Sequence, residues 1–221
     1  MSKNDNVIRF YLLANELKNK IRSGWIQVGI SKKRLESVAE HVFGCLTLAV
    51  LLDGEHELNL DMLKVFKMLT LHETEEIIMQ DYTLRDGIKE EDKISEGKRI
   101  VKEITSGLTS QEEIVKLLDE FNERKTKEAI FCYHVDKIEC DFQAKVYDLN
   151  GVMDYENAKE DLAYYGSRAD EIKGSSRCAS DLWIEYDRPK YADDELFSNL
   201  LDEIKKIDNT FLEGSLSFKK R

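Results

Sequence analysis

The stretch Ser37-Val-Ala-Glu-His-Val-Phe-Gly-Cys-Leu-Thr-Leu-Ala-Val-Leu-Leu52 decides the class of fold. Ser37 and Glu40 have the spacing of a capping box, in which each side chain satisfies the other residue's free backbone N–H. Beyond the cap, positions 38, 41, 45, 48 and 52 fall on one helical face. His41 therefore shares the inward side with Val38, Cys45, Leu48 and Leu52, and a histidine is aimed at the interior from the first turn of a helix.

Outward from this stretch, apolar residues recur at helical spacing almost everywhere and no convincing period-two alternation appears, which predicts an all-α chain. A first helix is expected from about Asp5 to Arg22, with Val7, Phe10, Tyr11, Leu13, Leu17 and Ile21 inward, followed by a loop holding Trp25 and a basic cluster. A helix from Asn59 or Asp61 carries the stripe Val65, Leu69, His72 and Glu76, and residues 80–87 read as a loop. Helices follow at roughly 90–105 and, from the capping sequence Thr109-Ser-Gln-Glu112, to about Glu123. The next spans about Thr126–Leu149 and stops before Asn150-Gly151, a left-handed C-cap, with Asp136 on its stripe of Ala129, Cys132, Tyr133, Cys140 and Tyr147. Less distinct helices are expected at 154–172 and 176–187, then a break at Pro189. A final amphipathic helix bears Phe197, Leu200, Leu201, Ile204 and Ile207.

One proline in 221 residues, no Gly/Ser-rich tract and evenly spread charge leave no linker, so a single domain over 1–221 is expected. The start Met1-Ser2-Lys3-Asn4-Asp5 has no apolar core of a leader, and the longest apolar runs are too short to cross a bilayer. A cytoplasmic protein without membrane attachment is expected. Cys45, Cys132, Cys140 and Cys178 form no C-x-x-C pair and read as reduced core thiols. A net charge of −11 argues against a nucleic-acid polymer as partner. Lys18, Lys20, Arg22, Lys32, Lys33 and Arg34 form a basic stretch without an acid, which could steer a small anion or stand as a solvated basic turn.

His41, His72 and Asp136 each face the core from a different helix, with Glu73 and Glu76 beside the second. For any one of them a hydrogen-bonded core residue is the plainer reading. Together they point to a divalent cation, because an uncompensated buried carboxylate costs several kcal/mol and a metal gathering imidazoles and carboxylates removes that cost. His134, two positions from Asp136 on the opposite side of its helix, and His56, in a polar turn, stay outside this group.

At this point the chain resembles the HD-domain phosphohydrolases, in particular their 5′-deoxynucleotidase branch, over roughly Arg22 to Gly151. The resemblance lies in Arg22-Ser-Gly-Trp25, in Arg34-Leu-Glu-Ser-Val-Ala-Glu-His41, in His72-x-x-x-Glu76 with Asp81 five residues later, and in Asp136-Lys-Ile-Glu-Cys-Asp-Phe-Gln-Ala144. It implies a helical bundle whose core site region spans about 22–151, with C-terminal helices over 152–221 as packing or dimer elements. It implies one divalent metal, Co²⁺, Mn²⁺ or similar with Mg²⁺ or Zn²⁺ also admissible, held by His41, His72, Glu73 and Asp136. Glu76 and Asp81 would take the roles of activating water and protonating the leaving oxygen, Arg22 would grip phosphate, and Trp25 would line a sugar pocket. From the residues alone, Arg22 also reads as a helix C-terminal charge and Trp25 as a loop anchor.

The family's His-Asp doublet is His72-Glu73 here, one methylene longer. Reduced activity, another metal or another substrate stay open, and nearby Glu75 reads as a solvated acid or a compensating ligand. The resemblance implies a phosphomonoesterase acting on (deoxy)nucleoside 5′-monophosphates, working as a homodimer. The alternatives are hydrolysis of another small phosphate or pyrophosphate ester, or a degenerate HD module that binds nucleotide or metal without turnover.

Overall fold

Ser37 does cap a helix. In this computed structural model, which describes residues 2–28, 30, 34–83, 86–160 and 163–211, the Ser37 hydroxyl accepts from Glu40 N–H at 3.3 Å and Glu40 Oε2 accepts from Ser37 N–H at 2.9 Å. The described residues are helical with no strand; their one isolated β-bridge is antiparallel, between Ile21 and Ser37. Contacts divide the chain into two units, 1–27 with 34–136, and 28–33 with 137–221. Lys32 and Lys33 of the basic stretch lie outside the described residues. No helix of the described residues is long and apolar enough to cross a membrane.

The first unit holds α1 (Lys3–Ala14), α2 (Ser23–Gln27), α3 (Val38–His56), α4 (Met62–Leu71), α5 (Glu90–Ile104), α6 (Gln111–Glu123) and the first part of α7 (Lys127–Leu149), with 3-10 turns at Asn15–Lys18 and Thr74–Ile77. On α3 the buried face is Val38, His41, Cys45, Ala49 and Leu52, so Ala49 rather than Leu48 fills the fourth position. Asp61 caps α4 by accepting from Lys64 N–H, and Val65, Met68 and Leu69 pack inward against α3 and α6. Ile100, Val101 and Ile104 of α5 divide between two apolar clusters. Ile100 and Ile104 join Met79, with Phe10 and Leu13 of α1 against them, and Val101 joins Ile114 and Leu118 of α6.

Three expectations for this unit are corrected. The first helix ends at Ala14 instead of continuing to Arg22, and its face is rotated: Val7 and Tyr11 are exposed while Asn6 is buried. The cause is polar. Asn6 Nδ2 donates to Gly107 O at 2.6 Å, and Arg9 Nη2 donates to Ile104 O at 2.9 Å and Ser106 O at 2.7 Å, so α1 docks by satisfying carbonyls left open at the end of α5. Gly107 has φ +87°, and a Cβ there would sit 2.9 Å from the Asn6 amide, so the contact requires glycine.

The second correction concerns the stripe running to Glu76. The helix α4 stops at Leu71, Glu73 leaves it at φ −104° and ψ 19°, and Glu76 rides the separate Thr74–Ile77 turn. In the third, the capping box at Thr109–Glu112 does not form. Ser110 is the N-cap at φ −88° and ψ 6°, outside the extended region that would bring its hydroxyl over the first turn, and it makes no side-chain bond.

The second unit takes the rest of α7, α8 (Tyr155–Glu160), α9 (Ala169–Ser175), α10 (Ala179–Asp187) and α11 (Glu195–Lys206), with 3-10 turns at Ala163–Arg168 and Arg188–Tyr191. The helix α7 closes as expected, with Gly151 at φ +67° and its N–H on Asp148 O at 2.9 Å. The helix expected over 154–172 is instead α8, a 3-10 turn bent at Gly166 and α9. Pro189 stands at the start of the 3-10 turn after α10, where its missing N–H costs nothing. On α11, Phe197, Leu201 and Ile204 are buried, and Phe197 stacks on Tyr191 at 5.8 Å between ring centroids. The apolar stripe of the last helix is thus used inside this unit.

Candidate metal centre

Three elements of the first unit bring four side chains to one point. The first turn of α3 supplies His41, the end of α4 supplies His72 and Glu73, and α7 supplies Asp136; one ligand atom from each lies within 4.8 Å of the others. His41 Nε2 is 3.1 Å from Asp136 Oδ1 and 3.6 Å from Glu73 Oε1. His72 Nε2 is 3.7 Å from Glu73 Oε1 and 3.8 Å from Asp136 Oδ1. All four residues are buried, His41 completely.

His72 is oriented by its other nitrogen. Nδ1 lies 2.7 Å from Leu69 O, and since a carbonyl only accepts, Nδ1 carries a proton, so that the neutral form of the ring presents its lone pair at Nε2. That Nε2 is buried without a hydrogen-bond partner. An orphaned imidazole lone pair facing two carboxylates is what a divalent cation fits, and a backbone carbonyl behind a ligating histidine is a common way to fix its tautomer. The same surroundings favour positive charge at Nε2, whether a proton or a metal ion: burial opposes charge on His72, yet neighbouring Asp136, Cys45 and Glu73 hold the ring well above its usual range. Burial likewise opposes ionisation of Glu73, but His72, Arg22 and His41 bring its carboxyl down to about 2. This pocket attracts positive charge.

Around the four, the backbone near Ile21 positions two more. Arg22 N–H donates to Glu36 O and Val38 N–H to Lys20 O, an antiparallel bridge that delivers Arg22 Nη1 to Glu73 Oε1 at 2.9 Å. Asp81 Oδ2 accepts from Ser23 N–H at 2.7 Å. Glu76 is buried, and neither carboxylate oxygen has a hydrogen-bond partner; burial, then the charges of Glu73 and Asp81, hold its carboxyl well above the usual range. Trp25 is buried with its indole N–H on Glu36 Oε2 at 2.8 Å, an anchoring contact.

Glu75 is partly exposed and is not one of the four donors; burial, then Glu73, raises its carboxyl to about 7, and its Cγ lies 3.2 Å from where a Cβ on Gly97 would be. His134 is buried but is not one of the four donors. Two lysines escape a reading of the sequence. Lys20 donates to the carbonyls of Glu76 and Met79, clamping the turn that carries Glu76, and Lys93 of α5 places Nζ 3.6 Å from Glu76 Oε1. Lys20 sits in the basic stretch, whose charge reveals no individual partner; Lys93 follows Glu90, Glu91 and Asp92 and resembles a surface residue.

A family model described as HD domain matches residues 14–179. The protein named 5′-deoxynucleotidase HDDC2 from Dictyostelium discoideum is 31% identical over 150 residues, 65% of this chain and 78% of that protein. The protein of that name from Homo sapiens is 27% identical over 145 residues, 65% of this chain and 69% of its own. Among solved structures, a conserved hypothetical protein from Pyrococcus furiosus superposes with a TM-score of 0.57 at 27% identity, over 65% of this chain and 83% of that one. A structure titled predicted metal-dependent phosphohydrolase, from Magnetospirillum magnetotacticum, gives 0.61 at 19% identity over 92% and 91%, a likeness of fold.

Proposed function

Since the chain belongs to the HD domain family, we propose that it is a metal-dependent phosphohydrolase that cleaves (deoxy)nucleoside 5′-monophosphates to nucleoside and inorganic phosphate. The observation that carries the reading is the convergence of His41, His72, Glu73 and Asp136 with the His72 Nε2 lone pair unpartnered. The relatives named 5′-deoxynucleotidase support the substrate class.

In this reading those four residues hold one divalent ion, Co²⁺, Mn²⁺ or a similar ion. When bound, it supplies Lewis acidity toward a phosphoryl oxygen and toward water. Arg22, already charged and forked beside Glu73, binds the phosphate oxygens. Glu76 and Asp81 divide the proton transfers, one taking the proton of the attacking water as the new P–O bond forms and the other giving a proton to the 5′ oxygen as the old P–O bond breaks. The bridge between Ile21 and Ser37 orients Arg22, and Ser23 N–H orients Asp81. Trp25, held by Glu36, forms a wall of the sugar pocket.

Two finer points belong to the same reading. The protein works in the cytoplasm, in keeping with four free cysteines. It works as a homodimer, for which the exposed apolar face of α1, Val7, Ile8, Tyr11 and Leu12, is the supporting surface.

The test is phosphate release from a panel of nucleoside 5′-monophosphates after chelation and re-addition of Co²⁺, Mn²⁺, Mg²⁺ or Zn²⁺, with Asp136→Ala alongside. Metal-dependent release that vanishes in Asp136→Ala is expected. No release with any metal sinks the nucleotidase reading and leaves another ester or a binding module.

A further inference from the structure

Phosphate recognition at this centre has an imbalance of charge. Glu73, Glu76, Asp81 and Asp136 are all buried within it, and the Arg22 guanidinium is engaged with Glu73 at 2.9 Å. A phosphomonoester brings about two more negative charges at neutral pH. Arg22 and the proposed divalent ion offset part of this charge, a further cation would offset more, and two lysines reach Glu76. Lys20 is committed to the Glu76 and Met79 carbonyls.

Lys93 is differently placed. It stands in the opening turns of α5, behind Glu90, Glu91 and Asp92, where a cation meets the unfavourable end of the helix dipole. A lysine side chain there would be expected to swing to solvent. Instead Nζ approaches the Glu76 carboxylate to 3.6 Å, beyond hydrogen-bond length, while the side chain stays about one third exposed. The other charges facing Glu76 are Glu73, Asp81 and Arg22. Lys93 is thus a cation at the edge of the acidic cluster, near a group proposed to move a proton, and among the described residues it makes no tight contact that a ligand must break.

We infer that Lys93 is a phosphate-binding residue of this site, sharing with Arg22 the oxygens of the phosphomonoester. The inference rests on the hydrolase reading above. As a compact point charge on a flexible stem, an ammonium is suited to follow a phosphate, whereas the Arg22 fork is fixed by Glu73.

The experiment is titration of inorganic phosphate into the Mn²⁺-loaded full chain by calorimetry, comparing wild type with Lys93→Met and Lys93→Arg, each with and without Glu76→Gln. Lys93→Met is expected to weaken phosphate binding about tenfold or more, the scale of a lost charge-assisted bond. Lys93→Arg keeps most of the affinity, and the loss persists in the Glu76→Gln background, because the lysine acts on phosphate directly. Wild-type affinity in Lys93→Met overturns the inference, as does a loss that disappears with Glu76→Gln or a wild type that binds no phosphate. If Lys93→Met does not fold, Lys93→Gln carries the same comparison. Phosphate binding that depends on Lys93 in a protein without turnover would sink the hydrolase reading alone.

Discussion

Arg22 Nη1 and Glu73 Oε1 lie 2.9 Å apart, and that same oxygen is 3.6 Å from His41 Nε2 and 3.7 Å from His72 Nε2. One carboxylate oxygen is therefore shared between a guanidinium and the two imidazoles. The extra methylene of Glu73 makes this reach available, since an aspartate on the same backbone would draw its oxygens back toward its own Cα. The longer residue couples the proposed metal centre to the proposed phosphate grip.

Glu73→Asp should loosen both arms of that coupling. The metal dissociation constant is expected to rise about 10- to 100-fold, the usual scale for disturbing a ligand or its support, with Arg22 released. Calorimetry with Mn²⁺ reads this directly, and an unchanged constant would show that Glu73 is not a donor.

Asp136→Ala removes the partner of His41 at 3.1 Å in a fully buried setting. Breaking a buried pair on one side typically costs about 3–5 kcal/mol. Urea unfolding in the presence of a chelator should show a loss of that order. The rise in Tm that metal gives the wild type should also be absent.

Lys20→Met leaves the Glu76 and Met79 carbonyls without their ammonium donor and slackens the Thr74–Ile77 turn. Amide exchange at Ile78 and Met79, whose N–H groups bond Glu75 O, should quicken. Turnover is expected to fall about tenfold through kcat, a small misplacement of a proton-transfer group being enough. Unaltered exchange at these two amides would remove the clamp from the account.

Asp141, in the second unit, is completely buried, and neither of its carboxylate oxygens has a hydrogen-bond partner. Burial, then Asp187, holds its carboxyl well above the usual range, against the opposing pull of Lys190 and Arg188. The folded state thus keeps a proton that the unfolded state releases near pH 4. Its contribution to stability is full below that pH and is lost as pH rises through the folded value. Asp141→Asn should flatten this dependence and stabilise the protein at pH 8 by about 1–3 kcal/mol. Urea titrations at pH 5 and pH 8 check it, and an equal slope in both proteins would refute it.

What the sequence made legible was whatever depends on neighbours within a turn or two. The Ser37–Glu40 cap, the inward His41, the placement of Asp136 on a buried face and the Gly151 ending all follow from local spacing, and all appear in the structure. What stayed hidden depends on partners far along the chain. Asn6 meets Gly107 across 101 positions, and this bond turns α1 about its axis. Glu73 meets Arg22 across 51 positions at the point where the chain leaves α4. The site residues were visible as types on faces, whereas the Lys20 clamp and the approach of Lys93 to Glu76 required the fold.

The docking of α1 makes the N-terminal helix a stopper for another helix. Asn6 and Arg9 occupy the carbonyls of Ile104, Ser106 and Gly107, groups that would otherwise face water at the end of α5. A protein shortened through Ala14 would lose more than one amphipathic segment: α5 would begin to unravel from its far end. The disturbance would then travel toward the turn that presents Lys93, so trimming the chain at its start would be felt at the proposed phosphate grip.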